Sequence, residues 1–407
     1  MHKGKIRIKP EGRPQTELEL EIHERPFQLQ RPRIAFAMYH NEDYLPGYLD
    51  RRSKELTERI YQDMVDHGQT AATFYSGGDF SQLPPKRCHM IETQLPLAKK
   101  VGLVDPNIAC MLLGGDMTSL GDEKTRVAVA WMQDECKRRG WPELLQYAAD
   151  EPVHPNPPLR ARYGPLRDLS VRIVTAMSIN AFFGFGDIHD VCVVLGGQIT
   201  PQMHLEAERL GVELHTYSYA TWRFYFSPLR QRFYAGIHTW AHRLKGNWIW
   251  GYYDTRVHSH VWFKDGDDRP MPTTAWENRR EGIDDYRYLQ MLEDCIAANP
   301  DDPEAVEAAN WLEALRSRVL DADPHIDYAY RVPVNEVTHP LPLEEFDLIR
   351  TRAAGYIQRF GPVPESRIQW PRVTHLKDEA KSLRNRSVED CLAELASPDG
   401  TRRRAAA

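Results

Sequence analysis

The sequence predicts an α/β protein whose body is a (β/α)8 TIM barrel, with a remnant β segment before it and a helical extension after it. Three observations carry this. Eight short apolar runs recur between Arg33 and Asp254. Several of the stretches between them have the apolar spacing of amphipathic helices, and strands alternating with helices imply a parallel sheet. Eight such units in roughly 220–260 residues match the size of a closed barrel. A doubly wound open sheet is the alternative. It wants a Gly-rich phosphate loop after an early strand, and "YSGGDF" after the second run is too short to be one.

The chain opens on "KIRIKP" and "TELELEIHERPFQL", which alternate with period two and predict two strands. A lone hairpin is marginal, so these strands are expected to pack on something, either a β-sandwich that they complete or the next domain. The eight runs follow: "RIAFAMYH" (33–40), "TAATFYS" (70–76), "IACMLLGG" (108–115), "LLQYAADE" (144–151), "RIVTAMSI" (172–179), "DVCVVLGG" (190–197), "VELHTYSYA" (212–220) and "NWIWGYYD" (247–254). Between them, "LDRRSKELTERIYQDMVDHG" closes on Gly68 and "DEKTRVAVAWMQDECKRRG" runs from an Asp cap to Gly140. "PQMHLEAERLG" and "RFYAGIHTWAHRLKG" have the same form, whereas the stretch between the fifth and sixth runs carries little helix signal. The end, "SVEDCLAELASPDGTRRRAAA", resembles the opening of a HEAT-type repeat or a short disordered tail. The expected units are a β segment over 1–31, the barrel over 32–298, helices packing on it over 299–372, and a tail over 373–407.

Composition narrows the function. The 407 residues are 42% hydrophobic and 27% charged, ordinary for a globular chain. A net charge of −6 argues against a general nucleic-acid binder. No apolar stretch approaches the roughly 20 residues of a membrane span, and "MHKGKIRIKPEG" lacks the apolar core of a signal peptide. Cytoplasmic location is the default. Six scattered cysteines without a CxxC suggest neither a zinc site nor a disulfide framework, and no cofactor or metal is expected. The 10 Trp and 18 Tyr suit a sugar-stacking surface, though most of them are expected in the core.

In a barrel, chemistry sits where strands end. The first run ends on Tyr39, His40 and Asn41, the second on Tyr75 and Ser76, the third at Asp116, and the fourth at Asp150 and Glu151. The sixth ends at Gln198, the seventh at His215, Tyr217 and Tyr219, and the eighth at Trp248, Trp250, Tyr252 and Asp254. The adjacent carboxylates are the sharpest feature. A surface turn is the bland explanation. The convergence of polar and aromatic residues at the other strand ends favours catalysis instead. Neighbouring carboxyls are too close to flank a glycosidic bond as acid and separate nucleophile, which takes about 5 Å or more. They suit a division in which Glu151 protonates the leaving oxygen, its pKa raised by burial and its neighbour, while Asp150 stays ionised and holds something positive or N–H-bearing.

"YAADEP" and "AWENRREGIDDYRYLQML" (275–292) resemble glycoside hydrolase family 123, the β-N-acetylgalactosaminidases, and related barrel domains of unassigned function. "FYAGIHTWAHRLKGNWIWGYYD", "PLEEFDLIRTRAAGYIQRF" and the join "LELEIHERPFQLQRPRIAFAMYH" support it, so the resemblance covers about residues 15–361. It implies retaining, substrate-assisted hydrolysis of β-linked N-acetylhexosaminides. Asp150 would orient the acetamido nitrogen, and Glu151 would serve as acid, then base. Tyr217 or Tyr219 would bond the acetamido oxygen, and Trp248 and Trp250 would wall the sugar unless they are core. Tyr39, His40, Tyr75, Asp116, Asp254 and Glu277 complete the candidate substrate-binding set. Glu277 and Arg280 match family positions and are expected mainly as an ion pair at the rim. Ala275 departs from the pattern, where an Arg is expected.

Other features carry less. "HSH" (258–260) is expected to be a loop with two exposed histidines, and no G-x-S-x-G elbow occurs. Arg160, Arg162 and Tyr163, after the Pro-rich stretch that follows Glu151, are candidates for acidic glycan groups or are simply solvated. Two classes remain open beside the substrate-assisted glycosidase. One is a non-catalytic carbohydrate- or protein-binding barrel. The other is a glycosidase drawing a second carboxylate from Asp116, Asp254 or Glu277.

Overall fold

The computed structural model describes residues 1–51, 53–75, 77–113, 122–152, 158, 171–195, 199–217, 228–254, 259–321 and 341–368. Strands β1 (His2–Ile8) and β2 (Thr16–Ile22) form an antiparallel hairpin. Eight parallel strands then close into a barrel: β3 (Ala35–Tyr39), β4 (Ala71–Tyr75), β5 (Cys110–Leu113), β6 (Leu144–Tyr147), β7 (Ile173–Met177), β8 (Val191–Leu195), β9 (Glu213–Tyr217) and β10 (Gly246–Trp250). Each pairs with its neighbour in sequence, and β10 returns to β3 with Trp250 beside Tyr39. All eight apolar runs thus become barrel strands in the expected order, and the open sheet is excluded.

Helices α1 (Lys54–Asp66), α2 (Leu95–Lys100), α3 (Asp122–Arg139), α4 (Ile179–Phe185), α5 (Pro201–Leu210) and α6 (Pro228–Phe233) lie between the strands. Ser53 and Thr200 cap α1 and α5 with side-chain bonds to Leu56 N and Met203 N. Gly68, Gly140 and Gly211 end α1, α3 and α5 at φ of +76°, +61° and +65°, a conformation in which a Cβ is strained. Helix α4 corrects the sequence reading, which saw little helix there. Its seven residues are too few to show a period, but Ser178 caps it, and Ala181, Phe182 and Phe185 bury one face.

After β10, a small hairpin of β11 (Val261–Phe263) and β12 (Pro270–Pro272) leads into the long helix α7 (Thr274–Ala298), followed by α8 (Pro303–Asp321) and α9 (Leu343–Phe360). The Gly-Ile-Asp-Asp-Tyr stretch on α7 is packing machinery. A Cβ at Gly282 would stand 2.3 Å from the Arg232 carbonyl oxygen, so α6 and α7 touch backbone to backbone. Asp285 is buried and takes Arg232 Nε at 2.7 Å and Arg350 Nε at 2.9 Å, tying α7 to α6 and α9. Ile283 and Tyr286 enter the apolar layer between α7, α8 and the β3 side of the barrel.

Two further expectations are corrected. The second N-terminal strand stops at Ile22 rather than running to Leu29, and every residue of β1 and β2 is exposed, so the hairpin does not pack on the barrel. His260 is fully buried, its Nδ1 3.0 Å from the Gly251 carbonyl, not an exposed loop histidine; its neighbour His258 lies outside the described residues. The five described cysteines are buried free thiols, and no described helix is long and apolar enough to cross a membrane. The tail over 373–407 lies outside the described residues.

Candidate active site

Side chains alternate across a strand, so each barrel strand sends every second residue inward. The last inward positions of β3, β4, β6, β9 and β10 are Tyr39, Tyr75, Tyr147, Tyr217 and Trp250. The Tyr39 ring lies 5.6 Å from Tyr217, 5.8 Å from Trp248 and 5.7 Å from Trp250 between centroids. Its hydroxyl bonds to the Met111 sulfur at 3.4 Å and to Tyr147. The mouth of the barrel is therefore floored by aromatic rings edged with hydroxyls. Burial pushes the Tyr39, Tyr75 and Tyr147 hydroxyls well above their ordinary range, helped by the negative charge of Asp150. At neutral pH they stay protonated and act as donors.

Asp150 and Glu151 stand over this floor. β6 stops at Tyr147, three residues short of Asp150, so the pair sits on the loop that leaves the strand. Glu151 has φ +40°, a left-handed conformation unusual for a residue with a Cβ. Such strain concentrates at functional sites. It breaks the alternation that would send adjacent side chains to opposite faces. The Tyr147 hydroxyl donates to Asp150 Oδ1 at 3.1 Å. The charges of both Asp150 and Glu151 are felt at the Tyr39 hydroxyl. Both carboxylates are exposed, so the burial expected to raise the Glu151 pKa is not seen. The adjoining loops over 114–121, 153–157, 159–170 and 218–227 lie outside the described residues, and with them Asp116, Arg160, Arg162, Tyr163 and Tyr219.

The remaining candidates divide. Trp250 donates from Nε1 to Asp254 Oδ2 at 2.9 Å, and its ring lies 5.7 Å from Tyr44, so Trp250 and Asp254 share the mouth with Tyr39. Trp248 is fully buried one layer deeper, its Nε1 bonded to His215 Nδ1 at 2.9 Å, so it supports Tyr39 rather than walling a sugar. His40 follows Tyr39 and turns outward, between the Tyr61 and Tyr252 rings, away from the mouth. Glu277 lies in the outer helical layer on α7, 3.0 Å from Arg280 Nε and 3.5 Å from His67 Nε2 at the end of α1. It is the expected ion pair, and it is not gathered with Asp150.

Sequence reasoning missed Tyr147 and Tyr44. Tyr147 is the third residue before Asp150 on an inward position, and period two from Leu145 would have found it. Tyr44 ends a single 3-10 turn (Glu42–Tyr44) after β3, too short to give a periodic signal. A cavity of about 400 Å³ lies against the other side of β6, lined by Leu144 and Gln146 together with Met132, Cys136 and Trp141. It faces α3 rather than the carboxylates. Among the described residues no cluster of His, Cys, Asp and Glu is arranged to hold a metal ion.

No family model matches the chain, and no curated protein matches it by sequence. Among solved structures it is similar to a family 123 glycoside hydrolase from Clostridium perfringens, studied for glycolipid glycan hydrolysis. The TM-score is 0.51 at 10% identity, over 94% of this chain and 76% of that one. The chain has that hydrolase's fold. It is also similar to a family 39 glycoside hydrolase from the gut symbiont Bacteroides cellulosilyticus, with a TM-score of 0.43 at 10% identity over 69% of each chain.

Proposed function

We propose that the protein is a retaining glycoside hydrolase that cleaves β-linked N-acetylhexosaminides, of the N-acetylgalactosamine type, with the substrate's own acetamido group as nucleophile. The observation that carries the reading is the Tyr147–Asp150 bond beside a strained Glu151 at the end of the fourth barrel strand. The shared fold with a family 123 hydrolase supports it.

Asp150, held by Tyr147, accepts the acetamido N–H and stabilises the positive charge that grows on it. The acetamido oxygen attacks the anomeric carbon and the glycosidic bond breaks. Glu151 delivers its proton to the leaving oxygen, and an oxazolinium forms. Glu151 then takes a proton from water, which opens that ring with overall retention. Tyr39, Tyr75 and Trp250 border the sugar, Asp254 fixes the Trp250 indole, and Tyr217 donates to the acetamido oxygen. Asp116 and Tyr219 extend the proposal to the loops after β5 and β9. We read 32–298 as the catalytic barrel, 299–372 as its helical buttress, and 1–31 and 373–407 as flanking segments.

The exposure of Glu151 is the one observation favouring a barrel that binds carbohydrate without hydrolysing it. Hydrolysis of chromogenic β-linked N-acetylgalactosamine, N-acetylglucosamine, galactose and glucose glycosides separates the readings, with Asp150→Asn and Glu151→Gln compared to wild type. Activity on the N-acetyl sugars alone, lost in both variants, is expected. Turnover of the plain sugars would remove the acetamido nucleophile, and silence on all of them would favour the binding barrel.

A further inference from the structure

Beyond the mouth, one group of aromatic side chains is turned to solvent. Trp262 on β11 is 43% exposed, and Met271, its partner across the β11–β12 ladder, is 44% exposed. Tyr48 is 47% exposed, and its hydroxyl donates to the Lys264 carbonyl at 3.0 Å, so it lies against the same hairpin. Tyr253 is half-buried, its ring 6.4 Å from Trp262 at 89° and 5.5 Å from Phe263. These residues come from the loops after β3 and β10, the first and eighth barrel strands, which are adjacent. Both loops leave the strand ends at the C-terminal face. Asp150 and Glu151 follow the fourth strand, on the opposite side of the same mouth.

The group is fixed in place. Arg59 on α1 pairs with Asp268 in the hairpin turn, and Thr273 bonds the His260 carbonyl at 2.8 Å behind it. It is continuous with the mouth. Tyr44, four residues before Tyr48, packs on Trp250, and Asp254, next to Tyr253, accepts the Trp250 indole N–H. Carboxylates border it: Asp265 and Asp267 lie close enough to act on the Tyr48 hydroxyl. Apolar side chains gathered in one exposed patch and rimmed by polar groups point to a binding surface, which the same residues scattered singly would not. A few rings are far too little for a protein interface, which takes about 800 Å² per partner. Flat aromatic faces edged by carboxylates match a pyranose, whose C–H face is apolar and whose rim is hydroxyl.

We propose that Trp262, Tyr253 and Tyr48 form a carbohydrate ledge that holds the distal part of a glycan chain whose terminal sugar lies at Asp150 and Glu151. This rests on the glycosidase reading for the position of the terminal sugar. It makes the natural substrate an oligosaccharide rather than a small glycoside. Trp262 and Tyr48 touch none of the reacting groups, so they govern chain length and not chemistry.

The test has two arms. In the first, Trp262→Ala and Tyr48→Ala are compared with wild type on a chromogenic monosaccharide glycoside and on glycolipid-derived glycans of increasing length. The expected result is unchanged turnover of the short substrate and a fall of about tenfold in kcat/KM on the long ones, as a lost aromatic contact of about 1.4 kcal/mol gives. Equal behaviour of variants and wild type on long substrates would overturn the ledge while leaving the glycosidase intact. In the second arm, chito-oligosaccharides and the same glycans are titrated into Glu151→Gln, following indole fluorescence, with Trp262→Phe and Trp262→Ala in that background. Affinity that grows with chain length and falls in Trp262→Ala supports the ledge even if wild type hydrolyses nothing. Affinity independent of length and of Trp262 would overturn it.

Discussion

Lowering the pH from about 7 to about 5 is expected to destabilise the barrel through histidines that fold neutral. His40 is buried between Tyr61 and Tyr252, and among the described residues neither of its ring nitrogens has a hydrogen-bond partner. Burial pushes its pKa down to about 4, against the pull of Glu42. His242 is pushed down to about 3, first by burial and then by His204, whose Nε2 lies 3.3 Å from its Nδ1. In the unfolded chain both titrate near 6.5. Between the folded and unfolded values the unfolded chain binds a proton that the folded one refuses. Stability is therefore full above pH about 6.5 and falls as the pH drops, by about 1.4 kcal/mol per unit per group. At pH about 5, some 1.5 units below the unfolded value, each histidine costs about 2 kcal/mol. The pair costs about 4 kcal/mol, a large part of the about 5–15 kcal/mol that holds a typical domain folded. Glu213, held down to about 2 by His215 and Arg172 against its burial, loses its contribution only below the ordinary carboxylate range, so this window belongs to the histidines. Urea unfolding at the two pH values, for wild type, His40→Gln and His242→Gln, measures the effect. Each variant is expected to lose about 2 kcal/mol less than wild type on acidification. An unfolding midpoint that does not move between the two pH values, or variants with the full wild-type pH dependence, would refute the reasoning.

Other outcomes follow from single contacts. Tyr147→Phe removes the donor to Asp150 and a partner of the Tyr39 hydroxyl, and is expected to lower kcat on an N-acetylhexosaminide ten- to hundredfold, the about 1.5–3 kcal/mol of a bond to a charged group, with a loss of stability of only about 1 kcal/mol. A loss of stability well beyond that would make Tyr147 a core residue instead. Gly282→Ala forces a Cβ against the Arg232 carbonyl and is expected to cost about 1–3 kcal/mol or more, read as a lowered melting temperature. An unchanged melt would show that α6 can move away. Arg279 is fully buried, with its pKa lowered to about 9 by burial, and bonds to Asn247 Oδ1 at 2.6 Å and Gln69 Oε1 at 3.3 Å. Arg279→Met leaves unsatisfied amide oxygens but no orphaned carboxylate, so the loss expected in urea unfolding is about 1–3 kcal/mol rather than the about 3–5 kcal/mol of a broken buried ion pair.

Much of the architecture was legible in the chain. β-strands and amphipathic helices declare themselves through local periodicity, so the eight runs and the Gly68 and Gly140 stops could be placed in order. Failures came where the local signal is short or points nowhere. α4 is two turns long, and the second N-terminal strand stops at Ile22, short of the Leu29 that its pattern suggested. Gly-Ile-Asp-Asp-Tyr was visible as a motif, but only its contacts with Arg232 and Arg350 show that it braces the barrel from outside.

The sequence by itself determined the order of the strands and which residues lie at or just beyond their ends, because position along a strand is a matter of counting. It also made Asp150 and Glu151 neighbours in the chain, but the left-handed backbone at Glu151, which breaks the strand alternation, belongs to the folded structure. Only the tertiary structure decided which of the strand-end residues share a space. Closing the barrel turned Tyr39 inward and its neighbour His40 outward, sank Trp248 one layer below Trp250, and carried Glu277 to the outer helices. It also placed Tyr147 beneath Asp150 and set Trp262 across the mouth from Glu151. The physical reason is that inward and outward are defined by a closed surface, and that surface exists only once β10 has paired with β3.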